Sequence, residues 1–99
     1  MKVEITSAAE ADLEEIADYI ARDNPVRALS FVRELYERCL DIAEMPAAWP
    51  IVPRYEHHGI RRCVHGRYLI FYRISKDSIT ILHVLNGAMD VEALLFPDG

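Results

Sequence analysis

Three prolines within eight residues, Pro46, Pro50 and Pro53, divide this 99-residue chain into halves that cannot share one kind of secondary structure. Proline lacks an amide hydrogen and has a fixed φ, so it breaks a helix interior and removes a ladder bond from a central strand. The segment from Met45 to Tyr55 therefore reads as a loop, with Trp49 and Ile51 expected to pin it to a core. Before it, apolar residues recur at helical spacing; after Gly59 they alternate at strand spacing.

In the first half, Lys2 to Thr6 alternates as a short strand, with Val3 and Ile5 facing one way. Ser7 to Glu10 fits a capping box that opens a helix. Leu13, Ile16, Ala17 and Ile20 then form its buried stripe, with Asp12, Glu14, Glu15 and Asp18 mostly outside it. The run Arg22-Asp23-Asn24-Pro25 ends that helix and starts another, because Asn suits the N-cap and Pro the first helical position. The second helix runs from Pro25 to about Glu44, with Ala28, Phe31, Val32, Leu35, Cys39, Ile42 and Ala43 as its core stripe. Leu29, Tyr36 and Leu40 lie on a neighbouring face and are expected to pack on the first helix, with a partner site as the alternative.

In the second half, strands are expected at Ile60 to Val64, Arg67 to Ser75 and Ser78 to Leu85, joined by turns at His65-Gly66 and near Lys76-Asp77. Val91 to Phe96 reads equally as a short helix or a last strand. Strict alternation puts Tyr68, Ile70, Tyr72 and Ile74 on one face of the central strand and Arg67, Leu69, Phe71 and Arg73 on the other. In the next strand it puts Ile79, Ile81 and Leu85 on one side and Leu82 and Val84 on the other. Both faces of the sheet are thus apolar, while one helical hairpin covers only one of them. The second face is left to the proline-rich loop, the C-terminal segment or another molecule. A partner is inferred here, with closure by loop and tail as the alternative.

The chain is one domain with room for a single core. It has neither a spanning apolar stretch nor a signal pattern, which points to the cytoplasm. Cys39 and Cys63 lack the spacing of a metal site and read as buried thiols, though sequence leaves a disulfide open. No cofactor is implied. The net charge of −5 opposes gripping nucleic acid unaided. Charge is unevenly placed: residues 1–50 hold eleven acids against Lys2, Arg22, Arg27, Arg33 and Arg38, while residues 54–73 hold Arg54, Arg61, Arg62, Arg67 and Arg73 against Glu56 alone.

Four stretches carry a family resemblance: Ala11 to Ile20 (ADLEEIADYI), Asn24-Pro25 with Ala28 and Phe31, Tyr68 to Arg73 (YLIFYR), and Ile81 to Leu85 (ILHVL). Together and in this order they resemble the RelE/ParE toxins, nearer the ParE branch. The resemblance covers nearly the whole chain and implies an α+β fold. That fold has an N-terminal strand, an antiparallel two-helix hairpin, a three-stranded antiparallel meander packed on the helices and a short C-terminal segment. It also implies a toxin of a type II toxin-antitoxin pair, held in a hetero-oligomer by a ParD-like antitoxin whose C-terminal segment wraps it. DNA would be met only through that antitoxin.

Two activities compete within the superfamily: ribosome-dependent cleavage of messenger RNA by RelE-like toxins, and inhibition of DNA gyrase by ParE-like ones. A RelE-like nuclease relies on strand cations and a C-terminal Tyr. Aligned on Tyr68 and Tyr72, its strand Arg falls at Leu69, its Arg before the acidic residue falls at Met89, and no Tyr follows Asp90. His57, His58, His65, His83 and Glu56 make no persuasive acid and base pair; His83, among apolar strand residues, reads as structural. The resemblance therefore favours a non-catalytic toxin with gyrase as its target and the mRNA nuclease as the alternative. Many ParE-like toxins also keep an Arg at the position of Met89, so a degenerate copy retained as a complex subunit is a third reading. Arg54, Arg61, Arg62, Arg67, Leu69, Phe71, Arg73 and Met89 are the candidates for contact with target or antitoxin, the arginines as partners for an acidic antitoxin tail.

Overall fold

A four-stranded sheet forms the centre of the protein, its strands lying side by side in the order first, fourth, third, second along the chain. In the computed structural model, which describes residues 1–96, β1 is Lys2–Ile5, α1 Ser7–Ala21, α2 Pro25–Glu44, β2 Ile60–His65, β3 Tyr68–Ile74, β4 Ser78–Asn86 and α3 Val91–Leu95. The C-terminal segment is thus a short helix; residues 97–99 lie outside the described range. Strands β2, β3 and β4 make the antiparallel meander expected from the sequence. β1 adds to it in parallel, pairing Val3 with Ile79 and Ile5 with Ile81.

The helices start where side-chain oxygens meet orphan amides. Asn24 caps α2, its side chain accepting from the Arg27 amide at 3.0 Å, and Pro25 follows as expected. The cap of α1 corrects the sequence reading: it is Thr6, whose hydroxyl accepts from the Ala9 amide at 3.0 Å, so Ser7 is already helical and no Ser7–Glu10 box forms. Thr6 is favoured because the same hydroxyl also donates to the carbonyls of Ile81 and Leu82. A single residue thereby caps the helix and ties it to β4.

A bulge in β4 overturns the expected alternation. Tyr72 pairs with Ile81 but Phe71 pairs with His83, so Leu82 is an inserted residue. An inserted residue reverses the inside-outside parity of everything after it. Val84 therefore joins Ile79 and Ile81 under the helices, while Leu85 joins Leu82 on the opposite face. The polar groups at the bulge are satisfied from α1: Oδ2 of Asp12 accepts from the Val84 amide at 2.9 Å and lies 2.8 Å from Nδ1 of His83. Asp12, expected mostly outside the buried stripe, is therefore a tertiary clamp.

Two cores result, one on each face of the sheet. Leu13 and Ile16 of α1, and Phe31, Leu35, Cys39 and Ile42 of α2, pack on Cys63, Ile70, Tyr72, Ile79, Ile81 and Val84. The Tyr72 hydroxyl donates to the carbonyl of Pro46, and Trp49 packs against this core, so the proline-rich loop is pinned to the sheet as expected. On the opposite face, Phe71 and Leu85 are buried with Val52 and Ile60 beneath Tyr55, Val91, Leu95 and Phe96. Tyr55 and Phe96 stack at 3.8 Å between ring centroids, latching loop to tail. The loop and α3 thus close the second face, and that face no longer requires the partner inferred for it from sequence.

Cys39 and Cys63 are both free and buried. Burial, reinforced by the nearby Cys63, pushes the Cys39 thiol up to about 11, and burial raises Cys63 as well. A raised thiol pKa leaves little thiolate, the reactive form, near neutrality. Iodoacetamide at pH 8 is expected to label neither cysteine in the folded protein and both in denaturant, as read by intact mass; prompt labelling of the folded chain would contradict this packing.

Candidate partner interface

The eight residues singled out from sequence do not gather into one patch. Arg61 points to the helix side of β2 and is absorbed by the loop: its guanidinium donates to the carbonyls of Trp49 at 2.6 Å and Ala47 at 3.3 Å. Phe71 is 0% exposed in the second core, so it offers no surface to a partner. Arg54 stands in the exposed loop with φ 74, a left-handed conformation uncommon for a side chain with a Cβ, and its amide donates to Glu56 at 3.2 Å. Arg73 is exposed at the end of β3 that pairs with Ile60, beside Leu95.

Arg67, Leu69 and Met89 remain near the other end of the sheet, with Arg62 midway along β2. Gly66 takes the positive φ of 60 that a two-residue hairpin requires, and the hairpin turns β2 into β3 at Gly66-Arg67. The Arg67 carbonyl accepts from the Gly87 amide at 2.8 Å, which brings the segment carrying Met89 beside this turn. Arg62 pairs across the ladder with Phe71, and Val64 with Leu69. Val64 is 58% exposed while Leu69 is half-buried against the second core, so one apolar side chain with basic neighbours lies open on this surface.

The same region contains a sheet edge that is only partly covered. The loop pairs with the outer side of β2 at its start, through Val52 to the Ile60 carbonyl at 2.8 Å and Arg62 to the Pro50 carbonyl at 3.0 Å. Val64 has the same parity as Ile60 and Arg62, and its outward main-chain groups find no backbone partner among the described residues. Its carbonyl meets only the Cys63 thiol among them, at 3.9 Å, and strand groups without a ladder partner accept an added strand.

Met89 itself faces a different surface. It lines an open groove of about 500 Å³ between α1 and the exit of β4, with Tyr19, Tyr68 and Leu94 as apolar walls and Asp12, Glu15 and Asp18 as acidic ones. His83 also reaches this groove, where its ring is oriented by Asp12. The other histidines are placed by packing: His65 tilts against Phe31 and lies 3.5 Å from Glu34, while His57 and His58 sit by the Tyr55–Phe96 stack. Among the described residues no group of His, Cys, Asp and Glu is arranged to hold a metal ion, and no helix is long and apolar enough to cross a membrane.

A family model described as the ParE toxin of type II toxin-antitoxin systems (parDE) matches residues 3–91. The chain belongs to the ParE toxin family. The match includes every strand of the sheet, both long helices and the partly open edge of β2. A solved chain of the chromosomal ParDE toxin-antitoxin system from P. aeruginosa shares the fold with a TM-score of 0.70 and 25% identity, over 87% of this chain and 95% of that one. No curated protein sequence matches. Sequence reasoning reached the family but missed Val64 and Tyr19 as surface residues. Val64 continues a strand alternation indistinguishable from a buried one, and Tyr19 is an aromatic in an otherwise ordinary helix.

Proposed function

We propose that this ParE-family chain is the toxin of a type II pair that acts in the cytoplasm by binding its target, DNA gyrase, without catalysis, and is neutralised by a ParD-like antitoxin. The observation that carries this reading is the family match over residues 3–91. A binding role is further supported by what the strand positions hold: Leu69 and Met89 stand where a RelE-like nuclease carries cations, and the guanidinium of Arg61 is held by loop carbonyls. The antitoxin contributes an extended, acidic segment that adds to β2 beside Val64 and meets Arg62 and Arg67. The chain then meets operator DNA only through the antitoxin.

Production of the chain without its antitoxin is expected to give filamentous cells and a DNA damage response, and the purified protein is expected to inhibit supercoiling by gyrase. Cleavage of ribosome-bound messages by the purified chain would overturn the proposal in favour of an mRNA nuclease. Unimpaired growth, with stable antitoxin binding, would assign it instead to a degenerate subunit retained in the complex.

A further inference from the structure

The outer face of α2 carries Val26, Leu29, Arg33, Tyr36 and Leu40, at alternating spacings of three and four residues. Side chains so spaced fall on one seam of a helix, the pattern with which one helix seats along another. Leu29, Tyr36 and Leu40 were expected to pack on α1 but are left exposed, at 73%, 44% and 60%, and Val26 beside them is 77% exposed. Geometry explains the difference. The buried stripe of α2 already faces both α1 and the sheet, so a residue a third of a turn away faces outward. The seam spans about 21 Å at 1.5 Å rise per residue. It borders a shallow groove between α1 and α2 that holds Glu10, Glu14, Val32 and Tyr36.

The last four residues of the seam are self-complementary in order. About the midpoint between Glu34 and Leu35, Leu29 mirrors Leu40 and Arg33 mirrors Tyr36. Two α2 helices laid antiparallel across a two-fold axis at that midpoint set Leu29 of each copy against Leu40 of the other. The same register brings Arg33 of each copy to the ring of Tyr36 in the other, a favourable cation–aromatic contact. Glu14 shares the groove with Tyr36, and Glu37 follows it in α2, so carboxylates adjoin the incoming guanidinium. Arg33 has no ion-pair partner among the described residues, whereas Arg27 is paired with Glu34 on its own helix. Charge complementarity therefore favours a second copy of this chain, which supplies a cation where the groove is acidic and an apolar residue where the seam is apolar.

We infer that the protein self-associates through α2 as an antiparallel two-fold dimer. The interface is separate from the β2 edge and does not rest on the toxin reading. Sedimentation equilibrium of the full-length chain is expected to show a dimer. Leu29→Lys and Leu40→Lys should each raise the dimer Kd at least about tenfold, equivalent to 1.4 kcal/mol. Both side chains are exposed, so the circular dichroism and melting of the dissociated chain should remain native. Arg33→Glu should dissociate the dimer similarly, by setting carboxylate against carboxylate, while Arg33→Lys should retain it. A chain that sediments as a monomer even at about 100 μM overturns the inference. So does a dimer whose Kd is unchanged by Leu29→Lys, which would place the contact elsewhere.

Discussion

Replacing Phe71 with Ala is expected to lower the free energy of unfolding by about 3 to 5 kcal/mol, the range for removing a large buried aromatic. Phe71 has no exposed surface and is enclosed by Val52, Ile60 and Leu85 under the loop and α3. The cavity has little means of collapsing, since Phe71 pairs with both Arg62 and His83 in the middle of the sheet. Against a total stability of about 5 to 15 kcal/mol for a domain of this kind, the loss is large. Urea denaturation should show it as a lower midpoint with an unchanged slope. A loss below about 1 kcal/mol would mean that the second core is not closed by loop and tail, because an exposed ring forfeits little on truncation.

Asp12→Ala is expected to cost about 1 to 3 kcal/mol, because it strands a backbone donor, the Val84 amide, whose acceptor is this carboxylate. One carboxylate oxygen serves both the Val84 amide and the His83 ring, and no neighbouring acid on α1 occupies that position. Amide hydrogen exchange separates this from a general loss of stability: Val84 should lose protection beyond the global change in Asp12→Ala and keep most of it in Asp12→Asn, which retains an acceptor. Glu15→Ala, at an exposed position on the same helix, should stay within about 0.5 kcal/mol of the parent. Equal effects of Asp12→Ala and Glu15→Ala would show that the clamp contributes nothing.

The candidate site was less legible than the fold, and the residues show why. Arg61 and Arg62 are adjacent and chemically identical, yet alternation along β2 sends one to the loop carbonyls and leaves the other on the face that carries Val64. Leu29 and Leu35 are both apolar residues of one helix, but a difference in angle leaves the first outside and the second inside. Phe71 reads as a surface candidate when only one helical hairpin is counted as cover. It becomes core once Tyr55, Val91, Leu95 and Phe96 fold over it.

Local chemistry alone was sufficient for the order of the elements from β1 to β4 and for the start of α2. The prolines forbade helix and central strand between Met45 and Tyr55, Asn24-Pro25 set the start of α2, and the two hydrophobic periods divided helices from strands. These signals act through a residue's own backbone and its nearest neighbours, so they are present in the sequence itself. The bulge at Leu82, the capping of α1 by Thr6 instead of Ser7, the clamp at Asp12 and the closing of the second face were decided only in the tertiary structure. Each depends on groups brought together from distant parts of the chain, such as Thr6 with Ile81 and Asp12 with Val84. No local pattern records that one inserted residue in β4 will exchange the faces of Val84 and Leu85.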